Sequence, residues 1–198
     1  PITLATISPF PLVVHPSLPV NSVKDLVALA KAKPGGLNYG SAGNGSVGHF
    51  SSEQFKALAG VDIVHVPYKG AGPAVADLLA GRLNLMFENP PTILPHVRSG
   101  KLKMLAVGTK TRSALVPEYP TVAEAGVPGY ESSTAFGVLA PAKTPAAVIT
   151  RLNQETVKAL QGADLKEKLS GLGLEAVGGT PQQYAQHLKE ELAKYGRI

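Results

Sequence analysis

Residues 40–49 read Gly-Ser-Ala-Gly-Asn-Gly-Ser-Val-Gly-His, and of the whole chain this stretch has the residue types and spacing best suited to chemistry. A glycine-rich turn that opens a helix gathers successive backbone N–H groups into a concave nest at the positive end of the helix. A carboxylate or a phosphate suits such a nest. Ser41, Ser46 and the amides around Gly45 are its natural donors, with Ala42, Gly43 and Asn44 completing the turn.

Three other chemistries use similar spacings. Gly43, Gly45 and Gly48 satisfy G-x-G-x-x-G, but a dinucleotide site wants an acidic residue at the end of the following strand. That strand ends in His65-Val66-Pro67-Tyr68, and Asp62 stands at its beginning. A phosphate-binding loop would need a lysine where Gly45 precedes Ser46. Asn44-Gly45-Ser46-Val47-Gly48 resembles a nucleophile elbow, yet Asn44 replaces the first glycine and no acid–histidine set follows. Glu88 is the one carboxylate to nominate near the site, and a single carboxylate is no acid–base pair. A nucleotide-binding α/β enzyme is the weaker alternative, and no catalytic residue is assigned.

The remaining inventory removes whole classes. His15, His49, His65, His96 and His187 are far apart and form no HExxH, so no metal site is expected. His49 falls on the first turn after the nest, where it either braces the loop or faces the ligand. With no cysteine there are no disulfides, thiolate zinc sites or cysteine nucleophiles. The net charge of +5 comes from lysines and arginines scattered from Lys24 to Arg197. Without a basic stripe interleaved with aromatics, nucleic acid is not an expected partner, and the mild positive field suits small anions. No cofactor is called for. No run approaches the roughly 20 apolar residues of a membrane helix, and residues 1–11 lack the pattern of an export signal.

The nest must be positioned by the elements around it. Helical and strand-like segments alternate, the pattern of a mainly parallel sheet with crossover helices. Asn21 and Ser22 cap a helix to Lys33, stopped by Pro34-Gly35-Gly36, and a strand over 37–39 leads into the nest. A helix over 47–59 follows, with Phe50, Phe55 and Leu58 on its apolar side, then a strand over 62–66. Pro73 opens a helix to Ala80, 83–87 is a strand, 92–98 a short helix and 103–107 a strand. Residues 117–129 wrap the surface with a short helix over 121–125, and 136–141 is a strand. Thr144-Pro145 caps a long helix to about Leu160, 174–177 is a strand, and Thr180-Pro181 caps a last helix striped by Tyr184, Leu188, Leu192 and Tyr195.

In such a sheet ligands bind outside the carboxyl ends of the strands. Three of those ends are residues 41–46, Tyr68-Lys69-Gly70, and Asn89. Tyr68 is expected to line the cleft with its hydroxyl as donor. Lys69, the only cation among the three, is either a ligand contact or a solvated turn lysine. Asn89 is either a ligand contact or a turn residue before Pro90.

The run 37–46 with His49, then Val66-Pro67-Tyr68-Lys69-Gly70 and Leu85-Met86-Phe87-Glu88-Asn89, resembles the Bug receptors, the extracytoplasmic solute receptors of tripartite tricarboxylate transporters. Residues 12–16, 120–126 and 140–145 are similar to further landmarks of that family, in the same order. The resemblance implies an α/β fold of the two-lobed periplasmic-binding-protein kind (Venus flytrap, type II), closing by hinge motion on a solute. It implies residues 1–11 as first-lobe strand and hinge, 12–136 as the second ligand-binding lobe, and 137–198 as the return crossover with helices that pack on the first lobe. Much of the first lobe, with its own glycine-rich loop, is expected upstream. The implied function is capture in the periplasm of a dicarboxylate, tricarboxylate, acidic amino acid or aromatic acid. The partners are then membrane transporter subunits, or a sensor if the same bilobal build passes a signal instead.

Overall fold

The structure, a computed structural model, describes residues 1–196 apart from the side chain of Tyr195. The Tyr195 end of the expected helix stripe, with Arg197 and Ile198, lies outside the described residues. In chain order the elements are β1 (Thr3–Pro9), β2 (Pro11–Val14), α1 (Val23–Ala32), β3 (Asn38–Ser41), α2 (Val47–Ala59), β4 (Val64–Pro67), α3 (Ala71–Leu79) and β5 (Leu85–Phe87). There follow α4 (Pro90–Arg98), β6 (Lys103–Val107), β7 (Ser133–Val138), α5 (Ala146–Gln161), α6 (Ala163–Gly171), β8 (Glu175–Gly178) and α7 (Pro181–Tyr195). They divide into two units, Pro9–Ser133 and Pro1–Ser8 with Thr134–Ile198.

The unit Pro9–Ser133 is built on a five-stranded sheet of order β4-β3-β5-β2-β6. β3 pairs in parallel with β4 and β5, but β2 runs antiparallel to both β5 and β6, so the sheet is mixed rather than mainly parallel. Because β2 alone is reversed, the carboxyl ends of β3, β4, β5 and β6 share one edge. Leu12, Val13 and Val14 of β2 are fully buried, and their side chains alternate between faces. Leu12 and Val14 join Phe55, Phe87 and Tyr130 under α1 and α2, while Val13 joins Leu78, Met86 and Ile93 under α3 and α4. A strand covered on both faces reads as a continuous apolar run.

Helix boundaries follow their capping residues. Ser22 caps α1 by accepting from the Asp25 N–H, and Ser46 caps α2 by accepting from the His49 N–H. Gly60 closes α2 in the left-handed conformation. α3 starts two residues before Pro73, which is tolerated in a first turn because its missing N–H has no intrahelical acceptor there. α2 buries Gly48, Ser51, Ser52, Phe55 and Ala59 and leaves Leu58 exposed, not the face of Phe50, Phe55 and Leu58 expected from sequence. Serines can occupy that face because the Ser51 and Ser52 hydroxyls return to the Val47 and Gly48 carbonyls. No helix forms over 121–125. Thr121 and Glu124 exchange side-chain-to-backbone bonds around a single turn, which the Val127-to-Val122 bond then closes.

The other unit has a three-stranded sheet of order β7-β1-β8, with Leu4 opposite Gly178. α5 begins one residue later than its expected cap: Thr144 donates its hydroxyl to the Pro141 carbonyl, and Pro145 is the cap position. α6, which buries no residue, has no counterpart in the sequence reading. Thr180 and Gln183 form a full capping box at the start of α7. Of the α7 stripe, Tyr184 is buried under Gly137, whereas Leu192 is 75% exposed.

Candidate ligand-binding site

The shared carboxyl edge gathers the loops that follow β3, β4 and β5. The first turns back on itself at Gly43 (φ 131°) and Gly45 (φ 77°), values that favour glycine. It is laced to the second loop by bonds from the Tyr68 N–H to the Ser41 carbonyl (3.1 Å) and from the Gly70 N–H to the Ala42 carbonyl (3.0 Å). α2 then starts hard against the end of β5, since a Cβ on Gly48 would lie 3.0 Å from the Phe87 carbonyl oxygen.

Several of the expected donors are already in use. Ser41 is fully buried, and its Oγ lies 2.7 Å from His65 Nε2 and accepts from the Gly43 N–H. The Gly45 N–H donates to His49 Nδ1 at 3.2 Å, and the Ser46 N–H donates to the Gly43 carbonyl. His49 thus braces the loop. Ser46 Oγ accepts from the His49 N–H, which leaves its own hydroxyl proton to donate elsewhere. Among the described residues no acceptor meets the amides of Asn44, Val47 and Gly48. Val47 and Gly48 are the first two residues of a 13-residue helix, whose leading N–H groups have no intrahelical partner. With the Ser46 hydroxyl these amides form a donor set for an anion.

Beneath the loop three rings stack. His65 lies between Tyr39 (centroids 4.7 Å apart) and His49 (4.3 Å). Tyr39 donates its hydroxyl to Glu53 Oε1 at 2.6 Å, and Lys56 Nζ lies 2.9 Å from the same oxygen. Burial and the neighbouring His49 hold His65 below the ordinary histidine range. Burial pushes the Glu53 carboxyl upward, but the bonds from Tyr39 and Lys56 outweigh it and leave the group below the usual carboxylate range. Ser41 and His65 have the spacing of a nucleophile and its base. Buried and accepting from its own loop, Ser41 serves instead to hold the turn.

The other nominated residues are placed less directly. Tyr68 packs on the cluster around Leu78, and its hydroxyl donates to Asp77 Oδ2 at 2.6 Å, so it steadies the loop from the α3 side rather than offering a donor to the cleft. Lys69 is exposed and makes no ion pair among the described residues. Gly70 occupies the cap of α3 with φ 117°. Asn89 stands at the cap of α4, and its Nδ2 donates to Glu88 Oε1 while its Oδ1 is buried without a partner. Glu88 is only 5% exposed, and burial pushes its carboxyl above the usual range. His65, noted in the sequence only among histidines that form no metal site, lies against the loop through Ser41 and His49. Its position opposite Tyr39, one strand over, is the signal that points to it.

The family profile described as "Tripartite tricarboxylate transporter family receptor" matches residues 1–198. The chain belongs to that family of receptors. Protein BugT of Bordetella pertussis is 36% identical over 198 residues, which are 100% of this chain and 61% of BugT. An R. palustris protein solved with adipate is 41% identical, with a TM-score of 0.92, covering 100% of this chain and 66% of that one. MatC from Rhodopseudomonas palustris, with bound malate, is 30% identical with a TM-score of 0.84, covering 98% of this chain and 67% of MatC. The fold is therefore the α/β fold of these solute-binding receptors. The chain spans about three fifths of the length of the curated relatives it matches.

Proposed function

We propose that the protein is an extracytoplasmic receptor that captures a small carboxylate-bearing solute for a tripartite tricarboxylate-type transporter. The observation that carries this reading is the set of acceptor-free amides of Asn44, Val47 and Gly48 beside the Ser46 hydroxyl. It opens α2 at the carboxyl edge of the sheet, in a chain 41% identical to an R. palustris protein solved with adipate. One carboxylate of the solute sits in this nest. Charge-assisted bonds from amides at a helix start are stronger than neutral ones, and the helix end adds its own favourable field.

On this reading the unit Pro9–Ser133 is the second ligand-binding lobe of the receptor. Ser41, His49 and His65 hold the shape of the nest, and the 68–70 loop and Asn89 border it. Solutes with two carboxylates are the favoured class, since adipate and malate are the molecules found in relatives. The periplasm, where receptors of this family work, is the compartment. On this reading the protein captures its solute and does not transform it.

A thermal-shift screen against dicarboxylates, tricarboxylates, acidic amino acids, aromatic acids and nucleotides tests this. Solute at about 100 times its dissociation constant raises stability by about 2.7 kcal/mol. A shift with dicarboxylates is expected. A shift with nucleotides alone would make the glycine-rich loop a cofactor site and overturn the reading.

A further inference from the structure

The stacked pair under the nest has a property that anion binding alone does not require. We propose that His49 and His65 form a single proton-binding site coupled to the solute, so that carboxylate binding draws in a proton. This rests on the reading of the 41–46 loop as the carboxylate nest.

The hydrogen bonds distinguish the two rings. His49 Nδ1 accepts from the Gly45 N–H at 3.2 Å, a bond that needs a lone pair on that nitrogen. Protonating His49 would set two N–H groups against each other and release the Gly45 turn. His65 has no such obstacle. Its Nε2 can donate to Ser41 Oγ at 2.7 Å while Ser41 donates onward to the Gly43 carbonyl at 3.1 Å, a chain in which every hydrogen has an acceptor. The two rings are 4.3 Å apart and 20° from parallel, so both cannot be cationic at once. The pair therefore takes one proton, and His65 holds it.

The charges that face the pair explain why the solute controls that proton. From β3 comes Tyr39, a neutral phenol stacked on the far face of His65. From α2 come the Glu53 carboxylate and the Lys56 ammonium, joined at 2.9 Å and largely cancelling. From β4 comes His65 itself, which burial holds below the ordinary histidine range. The pull of Glu53 on the imidazolium is too small to offset burial. An anion held by Asn44, Val47, Gly48 and Ser46, on the loop whose Gly45 N–H meets His49 Nδ1, supplies negative charge and raises the proton affinity of the pair. By linkage, affinity for the anion rises as pH falls, by up to about tenfold per pH unit for one coupled proton.

Calorimetric titration with adipate is run from about pH 6.5 to about pH 8, where its carboxyls are almost wholly ionised, in buffers of differing ionisation enthalpy. The expected result is uptake of up to one proton per adipate and an affinity that weakens towards alkaline pH. Both effects are expected to disappear in His65→Gln, whose side-chain amide can still meet Ser41, whatever adipate affinity that variant retains. Adipate binding without proton uptake and with flat affinity overturns the coupling and leaves the carboxylate reading intact. Uptake that persists in both His65→Gln and His49→Gln also overturns it. Absence of binding by adipate and malate at every pH overturns the nest reading and the coupling together. Absence of uptake in the wild type overturns the coupling even if a variant fails to fold.

Discussion

Gly48, in the first turn of α2, packs so closely on the end of β5 that a Cβ there would lie 3.0 Å from the Phe87 carbonyl oxygen and 3.8 Å from the Ser41 Cβ. The start of α2 is thus fixed against two strands at once, and the Asn44, Val47 and Gly48 amides inherit that rigidity. Gly48→Ala is expected to push the helix outward, costing about 1–3 kcal/mol in stability as overpacking does. Urea unfolding measures the cost. Adipate affinity should fall in the same variant, and an unchanged midpoint would show that the contact is looser than described.

Tyr39 is fully buried and spends its hydroxyl on Glu53. Tyr39→Phe should cost about 1–2 kcal/mol near neutral pH, the scale of a hydrogen bond to a charged group. Glu53 is held below the usual carboxylate range in the folded protein, so the stability it contributes is present above its unfolded value and lost as pH falls through the folded one. The difference between Tyr39→Phe and wild type should therefore shrink on acidification below about pH 4. A difference that grew with acid would contradict the assignment.

Glu88 has the opposite sign. Burial raises its carboxyl, so its contribution is fully present below its unfolded value and declines as pH rises through the folded one. Glu88→Gln keeps the acceptor for the Asn89 N–H without the buried charge. It should match wild type in stability near pH 4 and exceed it by roughly 1 kcal/mol at neutral pH, the scale of relieving a buried polar group. Thermal unfolding across pH is the measurement, and destabilisation at neutral pH would mean that the charge has a partner.

Much of this was legible in the sequence where local chemistry decides the structure. The boundaries of α2 follow from Ser46 and Gly60, and the start of α7 from Thr180 and Pro181, because caps and turns act over a few residues. The reversed direction of β2 was not legible, since Leu12, Val13 and Val14 bury equally well in either direction and pairing is a long-range choice. α6 went unseen because it buries nothing and so leaves no apolar stripe. In the site, the glycine pattern of 40–48 marks the nest. The amides that stay free could not be read from it, because His49 and Ser41 claim two of them through contacts that exist only once the loop is folded. Tyr68 was expected to serve the cleft, but Asp77 nine residues on takes its hydroxyl.

The central claim, that amides at the start of α2 hold a solute carboxylate, is tested most directly by Val47→Pro. Val47 is the first residue of the helix, where proline is well tolerated, and Ser46 before it already has the extended conformation that proline demands (φ −70°, ψ 160°). The substitution removes one N–H and leaves the helix in place. Calorimetric titration with adipate should show affinity weaker by about 10- to 100-fold, the loss of one charge-assisted hydrogen bond, in a protein whose unfolding midpoint is little changed. Wild-type affinity in the folded variant would contradict the account and move the carboxylate away from the nest.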